Sequence, residues 1–240
     1  MSKKPEEVFY EKGFFEKVEN FPARNGITNV RMGDFSLNQD QKEAEDQLRR
    51  IVYMLNVNAV HRAIPMHRDI INFAENRGGV NYYEGDAIIS KNGKNKKVLV
   101  CPTGDCPIII LTNDNNDFGA IIHCGWRPLK EKIIPKTLSL IKALVSLDEV
   151  KIGIFPGICV GCYEVTHGFA EGCFDDYILP NRKLNLKKVI IEELITKGIN
   201  AKNIQICNYC SAHEIRDGDN LYYSYRRDNN GKRNIVFMVI

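Results

Sequence analysis

Hydrophobic and polar positions repeat at helical spacing in three parts of the chain. These segments predict helices, and they comprise residues 38–55, 129–147 and 186–197. Asn38 or Asp40 suits the N-terminal cap of the first helix, because a short polar side chain can accept hydrogen bonds from the first turn. Pro135 either kinks the second helix or marks its true beginning. Gly198 ends the third helix.

Short runs of β-branched and other apolar residues predict buried strands between these helices. The predicted strands are residues 98–101, 107–111, 118–124, 150–155, 204–207 and 234–240. The stretch between the first helix and the first strand is rich in turn residues and ends at Gly85-Asp86. Successive strands joined by short turns favour a mixed or antiparallel sheet over a strict βαβ repeat. Because the chain contains no internal repeat or linker, we predict one α/β domain over residues 1–240.

Length, charge and hydropathy narrow the class of protein. With 240 residues the chain can bury a substantial core. Its formal net charge of +3 is too small to indicate nucleic acid as the main partner. No apolar run approaches the roughly 20 residues that span a bilayer, and the charged start, MSKKPEEVFYEKG, lacks the apolar stretch of a signal peptide. We therefore expect a cytoplasmic protein without a membrane partner.

Eight cysteines in a chain of this size indicate thiols or metal ligands rather than a disulfide framework. Cys159 and Cys162 form one C-x-x-C pair, and Cys207 and Cys210 form another. Together they would supply the four thiolates of a structural zinc site. However, the pairs lie further apart than the roughly 15–20 residues of a typical zinc ribbon. The four-thiolate site is therefore the less favoured interpretation.

Three other segments place metal-binding side chains beside predicted strand ends, where catalytic groups commonly converge. They contribute His67 in PMH, Cys106 in TGDCP and His123 in HCGWR. Imidazole and thiolate ligands suit zinc, and three protein ligands leave the fourth position open for water or substrate. Spacing alone leaves other interpretations open, since a histidine in an apolar setting is commonly a core residue and a buried cysteine a small hydrophobe.

The ordered motifs TGDCPIIIL, IIHCGWR, GICVGCYEV and YYSYRR resemble the signature of the YfiH-like family, also described as the laccase-domain or purine nucleoside phosphorylase family. The resemblance runs from about residue 20 to the C-terminus. It implies a single α/β (α+β) domain of mixed β-sheets packed between helices. It also implies that His67, Cys106 and His123 bind the metal and carry the catalysis.

This sequence departs from the family pattern around the first histidine. The family's Gln-Val is Pro65-Met66 here, and its following glycine is Arg68. His61 lies six residues earlier in a similar apolar setting, so it is an alternative first ligand. We favour His67, because the downstream isoleucines and the distance to Asp86 fit the pattern better.

The resemblance also implies residues that bind substrate or phosphate: Arg24, Asn38, Arg127, Arg226 and Arg227. A guanidinium suits a phosphate. The alternatives are a surface salt bridge for Arg127 and turn or cap chemistry for Arg24 and Asn38. For the last two arginines, we expect one to contact substrate and the other to be solvated.

Three nearby residues have open roles. Asp105 precedes the cysteine ligand and is a candidate to orient a histidine. Asp86 fits a turn at a strand end. Trp126, the only tryptophan, packs in the core or stacks on a purine.

The family carries two descriptions, which predict different activities. One is zinc-dependent phosphorolysis of adenosine, inosine and methylthioadenosine, accompanied by adenosine deamination, with nucleoside and phosphate as partners. The other is copper-dependent polyphenol oxidation. Five scattered histidines do not supply the mostly imidazole-ligated centres of a multicopper oxidase, whereas a single copper in the predicted site remains an alternative.

Two further alternatives do not depend on nucleoside chemistry. In the first, Cys106 is the nucleophile of a hydrolase and His123 is its base. In the second, the domain is stabilised by zinc and binds a partner without catalysis. We favour a purine nucleoside enzyme over these alternatives.

Overall fold

The computed structural model describes residues 15–37, 41–91 and 96–240. Its helices are α1 (Gln41–Leu55), α2 (Trp126–Lys130), α3 (Ile133–Ile141), α4 (Leu186–Thr196) and α5 (Tyr225–Asp228). Single 3-10 turns occur at Val30–Met32, Leu147–Glu149, Asp175–Tyr177 and Ala201–Asn203. The proposed caps of α1, Asn38 and Asp40, lie outside the described residues. The helix predicted over residues 129–147 is divided at Lys132, whose left-handed backbone separates α2 from α3, and Pro135 occupies the first turn of α3.

Six strands form the first sheet, in the order β1-β2-β14-β7-β3-β5. Their bounds are β1 Phe15–Glu16, β2 Asn25–Thr28, β3 Ala59–Ile64, β5 Gly79–Glu84, β7 Lys97–Thr103 and β14 Asn234–Val239. The central strand β7 runs antiparallel to β14 and parallel to β3, and β5 continues the parallel side. The sheet is therefore mixed, as the sequence predicted.

Six more strands form the second sheet, in the order β11-β10-β8-β9-β6-β4. Their bounds are β4 Ile71–Phe73, β6 Ala87–Lys91, β8 Ile108–Thr112, β9 Phe118–His123, β10 Lys151–Ile154 and β11 Ile204–Ile206. The middle strands are antiparallel, while β10 with β11 and β4 with β6 are parallel. A small ribbon pairs β12 (Ile215–Arg216) with β13 (Asp219–Asn220).

The two sheets pack face to face, with helices on their outer surfaces. Alternation along β7 shows the arrangement: Val98 and Val100 pack with α1, whereas Leu99 and Cys101 pack toward the second sheet. On the second sheet the odd residues Ile109 and Leu111 of β8 instead face α3 and α4. The result is a four-layer αββα arrangement, in which the central strands of both sheets are buried on both faces.

The prediction of a turn-rich region between α1 and Asp86 is wrong, because this region contains β3, β4 and β5. The strand β3 escaped detection since it carries His61 and Arg62 among its apolar residues, although both are fully buried. A parallel strand that is buried on both faces shows no polar-apolar alternation. Its two basic residues then made the run appear solvent-exposed.

The connection from β7 to β8 positions the candidate site. The turn predicted at TGDC is present, but it carries the chain from the first sheet to the second rather than between neighbouring strands. Strands β3, β7 and β9 end, and β6 and β8 begin, around this crossing. Side chains from both sheets therefore meet at one open end of the sandwich.

Among the described residues, none of the helices has both the length and the apolar character needed to cross a lipid bilayer.

Candidate metal centre and its cleft

A cleft of about 790 Å³ opens where the two sheets end. This volume is in the range of small-molecule binding sites. His67, Cys106 and His123 all lie in its wall. They come from three different segments, which follow β3, separate β7 from β8, and end β9.

His123 is held in one orientation by Asp86. The ring Nδ1 of His123 lies 2.7 Å from Oδ1 of Asp86, and both side chains are almost fully buried. Because a carboxylate can only accept, Nδ1 carries a proton, and the ring presents the lone pair of Nε2 once it is neutral. This carboxylate–histidine arrangement is the one that fixes a metal-binding histidine.

The same carboxylate organises the segment that carries His67. The backbone N–H groups of Met66, His67 and Arg68 donate to Asp86 over 2.9–3.1 Å. His67 has a positive φ of 56°, which allows successive N–H groups to converge on one anion. Asp86 therefore fixes both histidines, a role that local sequence patterns do not distinguish from that of a turn residue.

The two imidazoles are close enough to share an ion. The ring centroids of His67 and His123 are 5.1 Å apart, and the ligand atoms of His67, Asp86 and His123 lie within 4.8 Å of one another. His61, the alternative first ligand, is buried in β3, where its Nδ1 lies 3.0 Å from the hydroxyl of Tyr83. It does not line the cleft.

Cys106, the third predicted ligand, lies near His123 and beside Gly125. A Cβ atom built on Gly125 would lie 3.1 Å from the Cys106 sulfur and 3.1 Å from Cε1 of His123. The glycine thus leaves a small space between the thiol and the imidazole. The turn is held by Thr103, whose hydroxyl donates to the carbonyl of Cys106.

The surroundings shift the pKa values of the two histidines in opposite directions. Burial alone would lower the pKa of His123, but the charge of Cys106 and the hydrogen bond to Asp86 outweigh it and raise the pKa to about 9. Burial lowers the pKa of His67, and the neighbouring His123 adds to this effect. As a metal ligand, His67 would therefore bind in its neutral form, whereas His123 would exchange a proton for a metal ion.

The donor set fits zinc. Two imidazole nitrogens and one thiolate sulfur are ligands of catalytic zinc sites, and the Asp86 contacts supply the outer support that such sites use. The same ligands also accept copper, so the donor set by itself does not fix the metal.

Asp105 takes a different role from the one expected. It contacts no histidine among its hydrogen bonds, and instead accepts from the hydroxyls of Ser211 and Ser224, each over 2.7 Å, and from the backbone N–H of Arg226 over 2.6 Å. It therefore joins the Cys106 turn to the start of α5.

Two of the predicted arginines line the cleft. The guanidinium of Arg127 lies over the ring of Trp126, 4.6 Å from its centroid. The guanidinium of Arg226 lies 5.2 Å from the centroid of Tyr163 and donates to the carbonyl of Glu164 over 2.9 Å. Both are exposed and present positive charge to the cleft.

The remaining predicted binding residues are placed elsewhere or are not described. Arg24 donates to the carbonyl of Leu55 at the end of α1 and is not part of the cleft wall. Arg227 was expected to be solvated if it did not bind substrate, but it is half-buried and pairs with Asp228 over 2.6 and 2.7 Å. Asn38 lies outside the described residues.

Sequence reasoning missed two further arginines of the cleft. Arg62 is 1% exposed, and its Nε and Nη1 atoms have no hydrogen-bond partner among the described residues. Arg233, near the start of β14, also lines the cleft. A buried guanidinium with free donors is costly unless a ligand pairs with it. The only sequence signal for Arg62 was a charged residue inside an otherwise apolar run.

An aromatic surface faces these cations. Trp126 packs on Phe169 with 4.8 Å between ring centroids, and Phe169 meets Tyr163 edge to face at 6.4 Å. All three residues line the cleft. Trp126 is therefore partly buried against the core and also lines the cleft.

Fold and site together define a two-sheet α/β protein with a candidate metal centre in a basic, aromatic-walled cleft. The model of the family "Multi-copper polyphenol oxidoreductase laccase" matches residues 27–240. The chain belongs to this family, whose YfiH-like members the sequence motifs resemble.

Curated relatives carry names from purine metabolism. A Clostridium acetobutylicum protein named purine nucleoside phosphorylase is 27% identical over 216 residues, which cover 86% of this chain and 84% of the relative. An Aquifex aeolicus protein of the same name is 35% identical over 65% of this chain and 71% of the relative. A protein named adenosine deaminase RL5, from an unknown prokaryote, is 25% identical over 49% of each chain.

Solved structures share the fold. YlmD from Geobacillus stearothermophilus matches with a TM-score of 0.77 and 17% identity, covering 94% of this chain and 98% of that one. The Bacillus licheniformis protein YfiH matches with a TM-score of 0.75 and 16% identity, covering 93% and 98%. These likenesses confirm the predicted fold of mixed sheets packed between helices.

Proposed function

We propose that this protein is a zinc-dependent purine nucleoside phosphorylase that acts on adenosine, inosine and methylthioadenosine, with accompanying adenosine deaminase activity. The observation that carries the proposal is the joint presence of three elements in one cleft. A His/Cys/His ligand set, a group of arginines and an aromatic surface lie in the same wall. The names of the curated relatives support the same reaction class.

Phosphorolysis replaces the bond between C1′ and N9 of the nucleoside by a bond between C1′ and a phosphate oxygen, and the purine leaves with the bonding electrons and gains a proton. The anionic co-substrate requires cationic donors, which Arg62, Arg127 and Arg226 supply from the cleft wall. Arg62 is the most buried of them, so its charge is the least screened by solvent.

The purine would rest on the aromatic surface. Rings of Trp126, Phe169 and Tyr163 offer flat apolar faces, and offset stacking on a heteroaromatic base is favourable. The cleft, with a volume of about 790 Å³, is large enough to hold a nucleoside.

His67, Cys106 and His123 would hold the zinc ion. When bound, zinc supplies a Lewis acid for leaving-group activation and lowers the pKa of a water molecule for attack at C6 of adenine. Asp86 keeps His123 in the tautomer that presents Nε2, and it holds the His67 segment through three backbone N–H groups.

Copper-dependent polyphenol oxidation, which the family name describes, is the alternative function. The positions of the histidines weigh against a multicopper centre. Only His67 and His123 line the cleft, whereas His61 is buried in β3. His167 and His213 are exposed at the protein surface. A trinuclear cluster needs more imidazoles at one place than this arrangement provides.

The test is product analysis with adenosine and inosine, with and without inorganic phosphate. We expect free base and ribose 1-phosphate from both nucleosides only when phosphate is present, and ammonia from adenosine in either case. The Cys106→Ala variant should lose both activities, whereas Cys173→Ala, which removes an exposed thiol outside the cleft, should retain them. Release of base at an equal rate without phosphate would contradict phosphorolysis.

A further inference from the structure

A second group of metal-binding side chains lies outside the His67–Cys106–His123 centre. It consists of Cys159, Cys162, Cys210 and His213, here named the Cys3His cluster. The four ligand atoms all lie within 4.8 Å of one another. Nδ1 of His213 is 3.1 Å from the sulfur of Cys162 and 3.8 Å from that of Cys159.

The fold explains why these residues meet. Strands β10 and β11 are parallel neighbours, with Ile154 opposite Ile206, so the loops that follow them leave the same sheet edge. The first loop carries C-x-x-C and the second carries C-x-x-H. A bridge between Gly157 and Cys210 and a hydrogen bond from the Ser211 N–H to the Gly157 carbonyl (3.2 Å) join the loops.

We propose that the Cys3His cluster binds one zinc ion as a structural site, separate from the centre in the cleft. Cys3His is a ligand set of closed, four-coordinate zinc sites, and C-x-x-C spacing is typical of them. A tetrahedral site with the usual bond lengths places two sulfurs about 3.8 Å apart and a sulfur about 3.6 Å from a nitrogen. The observed sulfur–nitrogen separations bracket this value.

The surroundings suit thiolate ligands. The sulfur of Cys210 accepts hydrogen bonds from the backbone N–H groups of Cys159 (3.3 Å) and Ala212 (3.4 Å). Such bonds stabilise charge on a ligand sulfur and fix its orientation. Cys210 is buried, whereas His213 is exposed, so an ion has a path from solvent.

His213, and not Cys207, is the fourth member of the cluster. The backbone N–H of Cys207 donates to the carbonyl of Ile154 and continues the ladder of β11. Its side chain is buried in the apolar layer between the sheets. The four-thiolate site built from both C-x-x-C pairs is therefore wrong, and a histidine three residues after Cys210 completes the cluster.

The site would stabilise one wall of the cleft. Tyr163 and Glu164 follow Cys162 directly and line the cleft. Arg226 donates to the carbonyls of Cys162 (3.4 Å) and Glu164 (2.9 Å). An ion that fixes the Cys162 segment thereby fixes the position of Arg226, although none of the four ligands needs to contact substrate.

Zinc content per chain tests the proposal, because the two sites can be removed separately. We expect two zinc ions in the wild-type protein and one in a His67→Ala/Cys106→Ala variant that lacks the cleft site. Adding Cys162→Ser to this variant should remove the remaining ion, and adding the matched control Cys173→Ser should not. Absence of zinc from the His67→Ala/Cys106→Ala protein, or zinc that persists after Cys162→Ser, would overturn the proposal.

Alkylation of the wild-type protein gives a readout that does not depend on folding of the variants. In zinc-loaded protein, mass spectrometry should show Cys159, Cys162 and Cys210 protected from iodoacetamide, and a chelator should expose them. Cys173 should react in both states. Equal labelling of the cluster cysteines with and without chelator would contradict the site, and so would a disulfide among them in protein prepared under reducing conditions.

Discussion

Replacing Asp86 by asparagine removes one charge and one acceptor oxygen from the centre of the candidate site. The carboxylate is fully buried and accepts four hydrogen bonds, three from backbone N–H groups and one from Nδ1 of His123. The asparagine amide offers one acceptor and one donor group. Either orientation therefore sets an NH2 group against existing donors.

Two effects of different size follow. If the amide oxygen stays on His123, two backbone N–H groups lose their acceptor, at roughly 1–3 kcal/mol each. We expect a loss of about 2–6 kcal/mol in the free energy of unfolding. If the amide flips, His123 must move its proton to Nε2, which blocks the metal lone pair. Loss of such outer support costs roughly 10–100-fold in metal affinity, or about 1.4–2.8 kcal/mol.

The assay is competition for zinc against a chelator of known affinity, combined with denaturant unfolding of the metal-free protein. Cys162→Ser serves as the background, so that only the site in the cleft is titrated. Leu138→Ala is the matched control, since a buried leucine in α3 costs a similar 2–5 kcal/mol but lies outside the cleft wall. If Asp86→Asn and Leu138→Ala bind zinc equally well, the orienting role of Asp86 is refuted.

Three further outcomes are expected. Arg62→Met should raise the KM for phosphate about 10–100-fold, because charge-assisted hydrogen bonds contribute roughly 1.5–3 kcal/mol. The control Arg77→Met, which changes an exposed arginine, should leave this KM unchanged. Equal KM values for the two variants would exclude Arg62 from the phosphate site. Gly125→Ala should weaken zinc binding, because the new methyl group meets the Cys106 sulfur and Cε1 of His123 at 3.1 Å. The backbone itself is not strained, since Gly125 has an ordinary φ of −67°. Unchanged zinc affinity in chelator competition would contradict this. With a pKa of about 9, metal-free His123 is protonated at pH 7.5. Zinc binding in the Cys162→Ser background should therefore release at least one proton, and affinity should increase as pH rises toward 9. Calorimetry in buffers of different ionisation enthalpy measures this release, and a value of zero would contradict a protonated His123 in the metal-free protein.

Much of the fold could be predicted because its strands and helices carry clear periodicity. Strands such as β8 and β9 are unbroken apolar runs, and both α1 and α4 were found near their observed bounds. In contrast, β3 was missed because its polarity reflects the buried His61 and Arg62 rather than solvent exposure. Local patterns do not reveal that a buried arginine faces a cleft.

The site could be predicted only as far as its local motifs reach. The turn TGDC and the segment HCGWR indicated their ligands by position at strand ends. The role of Asp86 depends on how the first sheet lies against the second, which brings the start of β6 beside the end of β3. His213 was missed for the same reason, since Cys159 and Cys162 lie about 50 residues earlier and meet it only through the pairing of β10 with β11.

Reloading metal-free protein with either zinc or copper tests the central claim most directly. Phosphate-dependent release of hypoxanthine from inosine and oxidation of a phenolic substrate would be measured on both forms. If the protein is a zinc-dependent phosphorylase, the zinc form should release base and ribose 1-phosphate, and it should not oxidise the phenol. Catalytic phenol oxidation by the copper form, together with a zinc form that leaves inosine intact, would contradict the account.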